Sequence, residues 1–251
     1  MIKTNKKNLH HLWEILGIKT GQLVMCHSFL GGLGKLDGGP QIVIETLLDK
    51  VGTEGTIIVP TFTYSYFNSE LYDVNNSPSK VGVLGDSVRS LPNAIRSLDP
   101  VFSMAAIGRN SSNLMKRHTK NSFGNGSIYQ NLCENDLHIL LLGCDFTSLS
   151  LFMHLEKINN VNYRFDKIFK GRSRKDTDDW KDEVIHFVRK TDMGFETDRN
   201  KIGKIIEIDK MCKLAKYGYG VHRYISAKSV ADIVKVQLTQ DPNILIKLNK
   251  K

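Results

Sequence analysis

The chain reads as an α/β fold, a layered sheet flanked by helices with a small β subdomain, on three observations. Short, strictly apolar runs alternate with helix-period segments through the first half. These runs empty into polar residues: residues 23–26 into His27-Ser28, and residues 139–143 into Cys144-Asp145-Phe146-Thr147. Strand exits of that kind are where open α/β sheets bind ligands. A stretch of mixed charge from Lys167 to Lys190, with strand-like alternation at its end, then interrupts the pattern.

Taken in order, residues 8–16 carry a helical apolar period and residues 23–26 form a buried strand. Asp37-Gly38-Gly39-Pro40 opens the next helix. A cap candidate, two glycines and a proline, whose fixed φ suits a first turn, precede Ile42, Ile44, Leu47, Leu48 and Val51, and Gly52 closes the segment. Residues 56–59 are a second buried strand, stopped by Pro60. Residues 83–91 predict a short helix, 101–107 a strand and 148–158 a helix. Val184-Ile185-His186-Phe187-Val188 alternates as a strand, and the excursion around it, near residues 165–200, is the expected subdomain. Residues 200–213 predict a helix, Gly218-Tyr219-Gly220 a turn, and residues 229–239 a last amphipathic helix. No repeat or low-complexity linker divides the chain, so one domain over residues 1–251 is expected.

Composition excludes several classes. With 251 residues, 41% hydrophobic and 24% charged, the chain can bury a substantial core and is neither disordered nor fibrous. No apolar run approaches the roughly 18 residues of a membrane span. Lys3, Lys6 and Lys7 precede an apolar segment that Glu14 interrupts, unlike a secretory leader, so a cytoplasmic protein without a membrane partner is expected. Cys26, Cys133, Cys144 and Cys212 form no C-x-x-C pair, which argues for reduced thiols and against a metal site. The net charge of +9 suggests nucleic acid until it is located. Lys3, Lys6, Lys7, Lys247, Lys250 and Lys251 lie at the two ends as solubilising residues, and the body carries only +3. With no recognised RNA-binding signature either, no nucleic-acid partner is expected.

The loop His27-Ser28-Phe29-Leu30-Gly31-Gly32-Leu33-Gly34, followed by Gly38-Gly39, joins a strand to a helix. Such backbone can aim N–H groups at a phosphate or a carbonyl oxygen. It lacks the lysine of a P-loop and the spacing G-x-G-x-x-G, and alone it reads as a tight turn. The full run from His27 to Phe62, however, resembles the opening signature of the aminoglycoside 3-N-acetyltransferase family. The likeness extends through Pro78-Ser79-Lys80-Val81-Gly82-Val83-Leu84 with Asp86 and Arg89, and through the block from Arg96 to Gly108. Phe123-Gly124-Asn125-Gly126-Ser127, Leu140-Leu141-Leu142-Gly143, Glu156 and Tyr163-Arg164 complete it, over residues 20–171. The resemblance implies acetyl transfer from acetyl-coenzyme A to an amino group of an amino sugar, without a metal. The acceptor is either the 3-amino group of an aminoglycoside or a nucleotide-linked amino sugar. A catalytically inactive homologue that binds coenzyme A or a nucleotide is the alternative, and a homodimer is compatible with either.

An alkylammonium must lose a proton before it attacks a thioester, so a carboxylate or histidine is needed as base, together with a donor for the oxyanion. The family's H-P-x-H-S reads Asp99-Pro100-Val101-Phe102-Ser103 here, and its histidine three residues before Glu156 is Met153, with His154 one place later. Helical residues two apart point to different faces. Asp99 with Glu156 is therefore the favoured acid–base pair, with His154 auxiliary. On the same resemblance His27, Ser28, Phe29, Leu30, Gly31, Gly34, Gly39, Ser103 and Arg164 are expected at the cofactor, and Asp86, Arg89 and Tyr64 at the acceptor. Each has a plainer reading: Asp99 as a turn former, Ser103 as a strand hydroxyl, Glu156 as the ion-pair partner of Arg164, His154 as a packed or surface histidine. Arg164, Lys167, Lys170, Arg172, Arg174 and Lys175 against Asp166 give a basic run that is either a solvated loop or a holder for the phosphates of coenzyme A. A cleft bordered by that run would repel a polycationic aminoglycoside and attract an anionic amino sugar.

Overall fold

The structure is a computed structural model that describes residues 1–116 and 118–248; Lys250 and Lys251 of the terminal lysines lie outside the described residues. The chain begins β1 (Lys3–Thr4), α1 (Lys6–Leu16), β2 (Leu23–Ser28), β3 (Lys35–Leu36), α2 (Gln41–Val51), β4 (Thr56–Pro60), β5 (Tyr72–Asp73) and α3 (Val83–Arg89). There follow β6 (Ile95–Arg96), β7 (Met104–Gly108), α4 (Ser111–Leu114), α5 (Ile128–Glu134), β8 (Leu137–Leu142) and α6 (Leu151–Ile158). The last part holds β9 (Arg164–Lys175), β10 (Asp178–Arg189), β11 (Phe195–Thr197), α7 (Asn200–Ile208), β12 (Lys213–Tyr217), β13 (Gly220–Ser226), α8 (Ala227–Gln240) and β14 (Ile246–Leu248).

Seven strands form the central sheet in the order β12-β13-β8-β2-β4-β7-β6. Its middle is parallel, β8 beside β2 beside β4, and the flanking pairs are antiparallel. The parallel centre explains the strictly apolar runs, because a strand covered by helices on both faces has no side to give to water. Alternation sorts the same strand between two layers. Val24 and Cys26 of β2 join Leu9, Trp13, Val43 and Leu47 of α1 and α2. Leu23 and Met25 join Phe152 of α6, Ile202 and Ile206 of α7, and Val230 and Val234 of α8. Each fully buried side chain of this size contributes roughly 1.5–3 kcal/mol. The result is the layered sheet flanked by helices that the sequence predicts. The excursion near 165–200 is the long antiparallel hairpin of β9 and β10, extended by β5 against β9 and followed by β11. Among the described residues no helix is long and apolar enough to cross a membrane.

Of the boundaries that differ from the sequence reading, three do so for a local polar reason. The strand expected from residue 101 starts at Met104, because Asp99 Oδ1 accepts the N–H groups of both Val101 and Phe102 at 2.8 Å and turns the chain first. The helix expected from 148 starts at Leu151, since Asp145 caps a separate tight turn, Phe146–Ser148. The helix expected to run to 213 ends at Ile208, where Asp209 is extended and accepts the N–H of Met211 at 2.8 Å, and Lys213 begins β12.

Candidate functional site

The parallel strands end together, and the first cavity, about 290 Å³, opens there. His27 and Ser28 come from the end of β2, opposite Leu141 and Leu142 of β8, and Val59 and Pro60 from the end of β4. A second cavity of about 430 Å³ lies beside it under the hairpin, bordered by Arg164, His186, Arg189 and Phe67. Tyr64, Phe102, Thr147, Met153 and Arg199 border both, so the two compartments share a wall.

The first compartment is internally bonded. Tyr129 donates its hydroxyl to Ser150 Oγ at 2.6 Å, and Ser150 Oγ stands 3.4 Å from His27 Nε2. Burial, and secondarily the charge of Arg199, hold the His27 imidazole at about 3, so it is neutral at physiological pH. Tyr64 sits in the left-handed region at φ 56, rare for a bulky residue. The chain is pinned there by the N–H groups of Thr63 and Tyr64, both donating to Val101 O at 3.2 Å.

The second compartment is cationic. Glu156 of α6 is fully buried, with its Oε2 2.8 Å from Arg164 Nε and its Oε1 accepting from Tyr163 OH at 3.2 Å. Arg199, just before α7, donates Nη1 to Leu149 O at 2.9 Å and Thr147 O at 3.3 Å and lies over the Phe152 ring at 5.1 Å. Its Nε has no hydrogen-bond partner, and among the described residues no carboxylate pairs with it. His186 projects from β10 against Phe102 at 4.8 Å and against Phe67 and Phe123 at 5.1 Å, and its buried Nδ1 has no partner. Burial pulls this imidazole to about 4, against a raising influence of Asp99. No Asp or Glu among the described residues borders either cavity.

Of the residues singled out in the sequence, His27, Ser28, Tyr64 and Arg164 border the cleft. Phe29, Leu30, Gly31, Gly34 and Gly39 do not. The glycine loop is instead packed backbone to backbone. A Cβ on Gly32 would meet Gly143 Cα at 2.9 Å, and one on Gly143, itself at φ +73, would meet Phe29 O at 2.5 Å. Asp99 is held by its two N–H donors, and Ser103 Oγ donates to Thr61 O at 2.6 Å. Asp86 accepts from Arg89 Nε at 2.6 Å and Ser79 N at 2.9 Å. His154 Nδ1 accepts from Gly124 N at 3.2 Å. None of these, nor Glu156, borders either cavity. The basic run is strand β9; of its basic residues Arg164 borders the cleft, the others border neither cavity, and Arg172 and Arg174 pair with Asp179. Sequence reading missed Ser150, His186, Arg189 and Arg199. For His186 a signal existed, an isolated imidazole in an apolar alternation; for Arg199 there was none.

Fold and cleft together define an α/β protein with two adjoining cavities, one at the carboxyl ends of parallel strands and one under the hairpin beside it. More specifically, the chain belongs to the aminoglycoside 3-N-acetyltransferase family, whose sequence profile matches residues 25–239. It is 28% identical over 170 residues to the SPbeta prophage-derived aminoglycoside N(3')-acetyltransferase-like protein YokD of Bacillus subtilis, covering 59% of this chain and 62% of that one. It is 25% identical over 171 residues to aminoglycoside N(3)-acetyltransferase III of Pseudomonas aeruginosa, covering 61% and 63%. The match thus spans less than two thirds of those relatives' own lengths. A solved structure of AAC-IIIb in binary complex with CoASH superposes with a TM-score of 0.84 at 19% identity, over 95% of this chain and 97% of that one. AAC-VIa bound to sisomicin gives a TM-score of 0.84 at 18% identity, over 95% and 98%. At these identities the superpositions show a common fold.

Proposed function

We propose that the protein transfers an acetyl group from acetyl-coenzyme A to an amino group of an amino sugar. Family membership and the naming of its relatives as N-acetyltransferases support this reading, and so does the solved relative that holds CoASH. The observation that carries it is the pair of compartments sharing one wall. The narrower compartment, at the strand ends, suits the thin pantetheine arm, and the wider one under the hairpin suits a sugar. The amine sheds its ammonium proton to solvent, its nitrogen forms a bond to the acyl carbon, the carbon–sulfur bond breaks, and the second proton lost by that nitrogen passes through a base to the departing thiolate. The carboxylates and histidine named from sequence, Glu156, Asp99 and His154, are each engaged with a protein partner and themselves border neither cavity. We therefore place the base at His27 Nε2, reached directly or through Ser150 Oγ. Glu156 acts by holding Arg164.

Met153 and Phe102 border the cleft at positions where the resemblance leads one to expect histidines. That observation favours the second reading, a homologue that binds without turnover. Thiol release from acetyl-coenzyme A with a panel of amines separates the two. Turnover that falls roughly 10²- to 10⁴-fold in His27→Gln, with coenzyme A binding retained, is the expected result. Coenzyme A binding with no thiol release on any amine would establish the second reading, and unchanged turnover in His27→Gln would remove the base assignment.

A further inference from the structure

Resting on the acyl-transfer reading for which compartment takes which substrate, we infer that the second cavity selects an amino sugar carrying its own anionic group, a phosphate or a carboxylate. Arg164, Arg189 and Arg199 border this cavity and no Asp or Glu among the described residues does. Arg164 is already neutralised by Glu156 at 2.8 Å. Arg189 stands exposed at the lip. Arg199 is buried, and a guanidinium stays charged wherever it is placed. Among the described residues no carboxylate lies within ion-pair distance of it, Glu156 acting on it only from farther off, and burying a charge so weakly compensated is costly. The two carbonyl bonds from Nη1 fix its plane without neutralising it.

A second, independent observation lies on another element. His186 Nδ1, on β10, is buried and has no partner, and the rings of Phe67, Phe102 and Phe123 pack around the imidazole at 4.8–5.1 Å. Two elements thus bring a guanidinium and an imidazole, each with a buried nitrogen that has no protein partner, to the border of one compartment lined by no Asp or Glu among the described residues. Oxygen anions are the ligands that draw charge-assisted bonds from a planar guanidinium. A polycationic sugar meets only like charge there. The preference argued from the basic run of β9 is therefore carried by different residues, since of that run Arg164 borders the cavity and Arg172 and Arg174 pair with Asp179 on the outer hairpin.

The donor's own phosphates are the rival for these guanidiniums, and one experiment separates the cases. Calorimetry on the full chain with coenzyme A present compares glucosamine, glucosamine 6-phosphate, 2-amino-2-deoxyglucuronic acid and gentamicin. The anionic sugars are expected to bind at least ~10-fold tighter than glucosamine, as charge-assisted bonds of this kind provide. Arg189→Gln, at an exposed position, and Arg199→Lys should each reduce that preference, and the phosphate and carboxylate arms show which anion the site holds better. Gentamicin binding more tightly than both anionic sugars would overturn the inference. So would the two variants weakening coenzyme A in place of the acceptor. Absent thiol release with the anion preference intact would sink the acyl-transfer reading and leave the anion site standing. Thiol release from gentamicin with no anion preference would do the reverse.

Discussion

The two walls of the cleft are built on opposite terms. On the sheet wall, where β2, β4 and β8 end, polar atoms are bonded to one another: Tyr129 to Ser150, Ser150 beside His27, Thr63 and Tyr64 to Val101. On the hairpin wall, supplied by β10 and the residues leading into α7, His186 Nδ1 and Arg199 Nε have no protein partner. Buried polar groups are ordinarily satisfied, and each exception calls for an explanation. A wall that satisfies itself is preorganised to position a reaction. A wall that does not is suited to recognition, and the proposed division of labour places chemistry on the central sheet and specificity on the excursion.

The largest expected effect tests both walls at once, on acidification. Burial, helped by Arg199, holds His27 of the sheet wall at about 3; burial holds His154, in the layer beneath, at about 4; and burial against the pull of Asp99 holds His186 of the hairpin wall at about 4. Unfolded, each titrates near 6.5. Below that value the unfolded chain binds protons that the folded chain refuses, so stability falls as pH drops from 6.5 toward 4 and is level above about 7.5. At 1.36 kcal/mol per unit, each imidazole removes roughly 2 kcal/mol by pH 5, and the three together about 6, comparable to the whole stability of a domain. Urea unfolding at pH 7.5, 6 and 5 measures the slope, and His186→Phe should remove about a third of it. A stability that stays level down to pH 5 would mean these imidazoles are not buried as described.

Next in size is the joint between the walls, Glu156 with Arg164. Both side chains are at most 6% exposed, so Glu156→Gln strands a buried guanidinium and should cost about 3–5 kcal/mol. Adding Arg164→Met should recover much of that loss. If the single variant unfolds at the same urea concentration as the parent, the pair does not tie α6 to the hairpin.

The unequal legibility of the two walls follows from what a linear pattern can encode. Parallel strands buried on both faces announce themselves as apolar runs, and their exits, His27-Ser28 among them, fall at the cleft because strand ends must. Helix bounds set by Pro40 and Gly52 were equally readable, since both act through local backbone. Asp99, Ser103 and His154 instead show how motif residues can be structural: each bonds to a backbone group nearby in space, a role that sequence spacing does not separate from catalysis. Arg199 reaches the cleft only because α7 packs on the turn at Phe146–Ser148, with Gly203 against Phe146. No residue near it in sequence signals that contact. The densest basic run is legible in sequence, yet beyond Arg164 it borders neither cavity, and its Arg172 and Arg174 pair with Asp179.

The smallest expected effect sharpens that last distinction. Arg172 and Arg174 of β9 share Asp179 Oδ2 at 2.9 and 3.0 Å, with side chains 65% and 44% exposed. Exposed pairs gain little, because water and salt screen the attraction and two long side chains lose freedom to hold it. Arg172→Gln with Arg174→Gln should therefore change stability by no more than about 1 kcal/mol. The double variant should also leave the affinities for coenzyme A and for anionic amino sugars unaltered, while Arg189→Gln, on the adjacent strand but at the lip of the cleft, reduces the latter. Titrating parent, double variant and Arg189→Gln at two salt concentrations distinguishes local contact from the general field of the hairpin. If removing the two outer arginines weakens anion binding as much as removing Arg189, the attraction belongs to the charge of the whole ribbon, and the hairpin wall recognises its ligand by field alone.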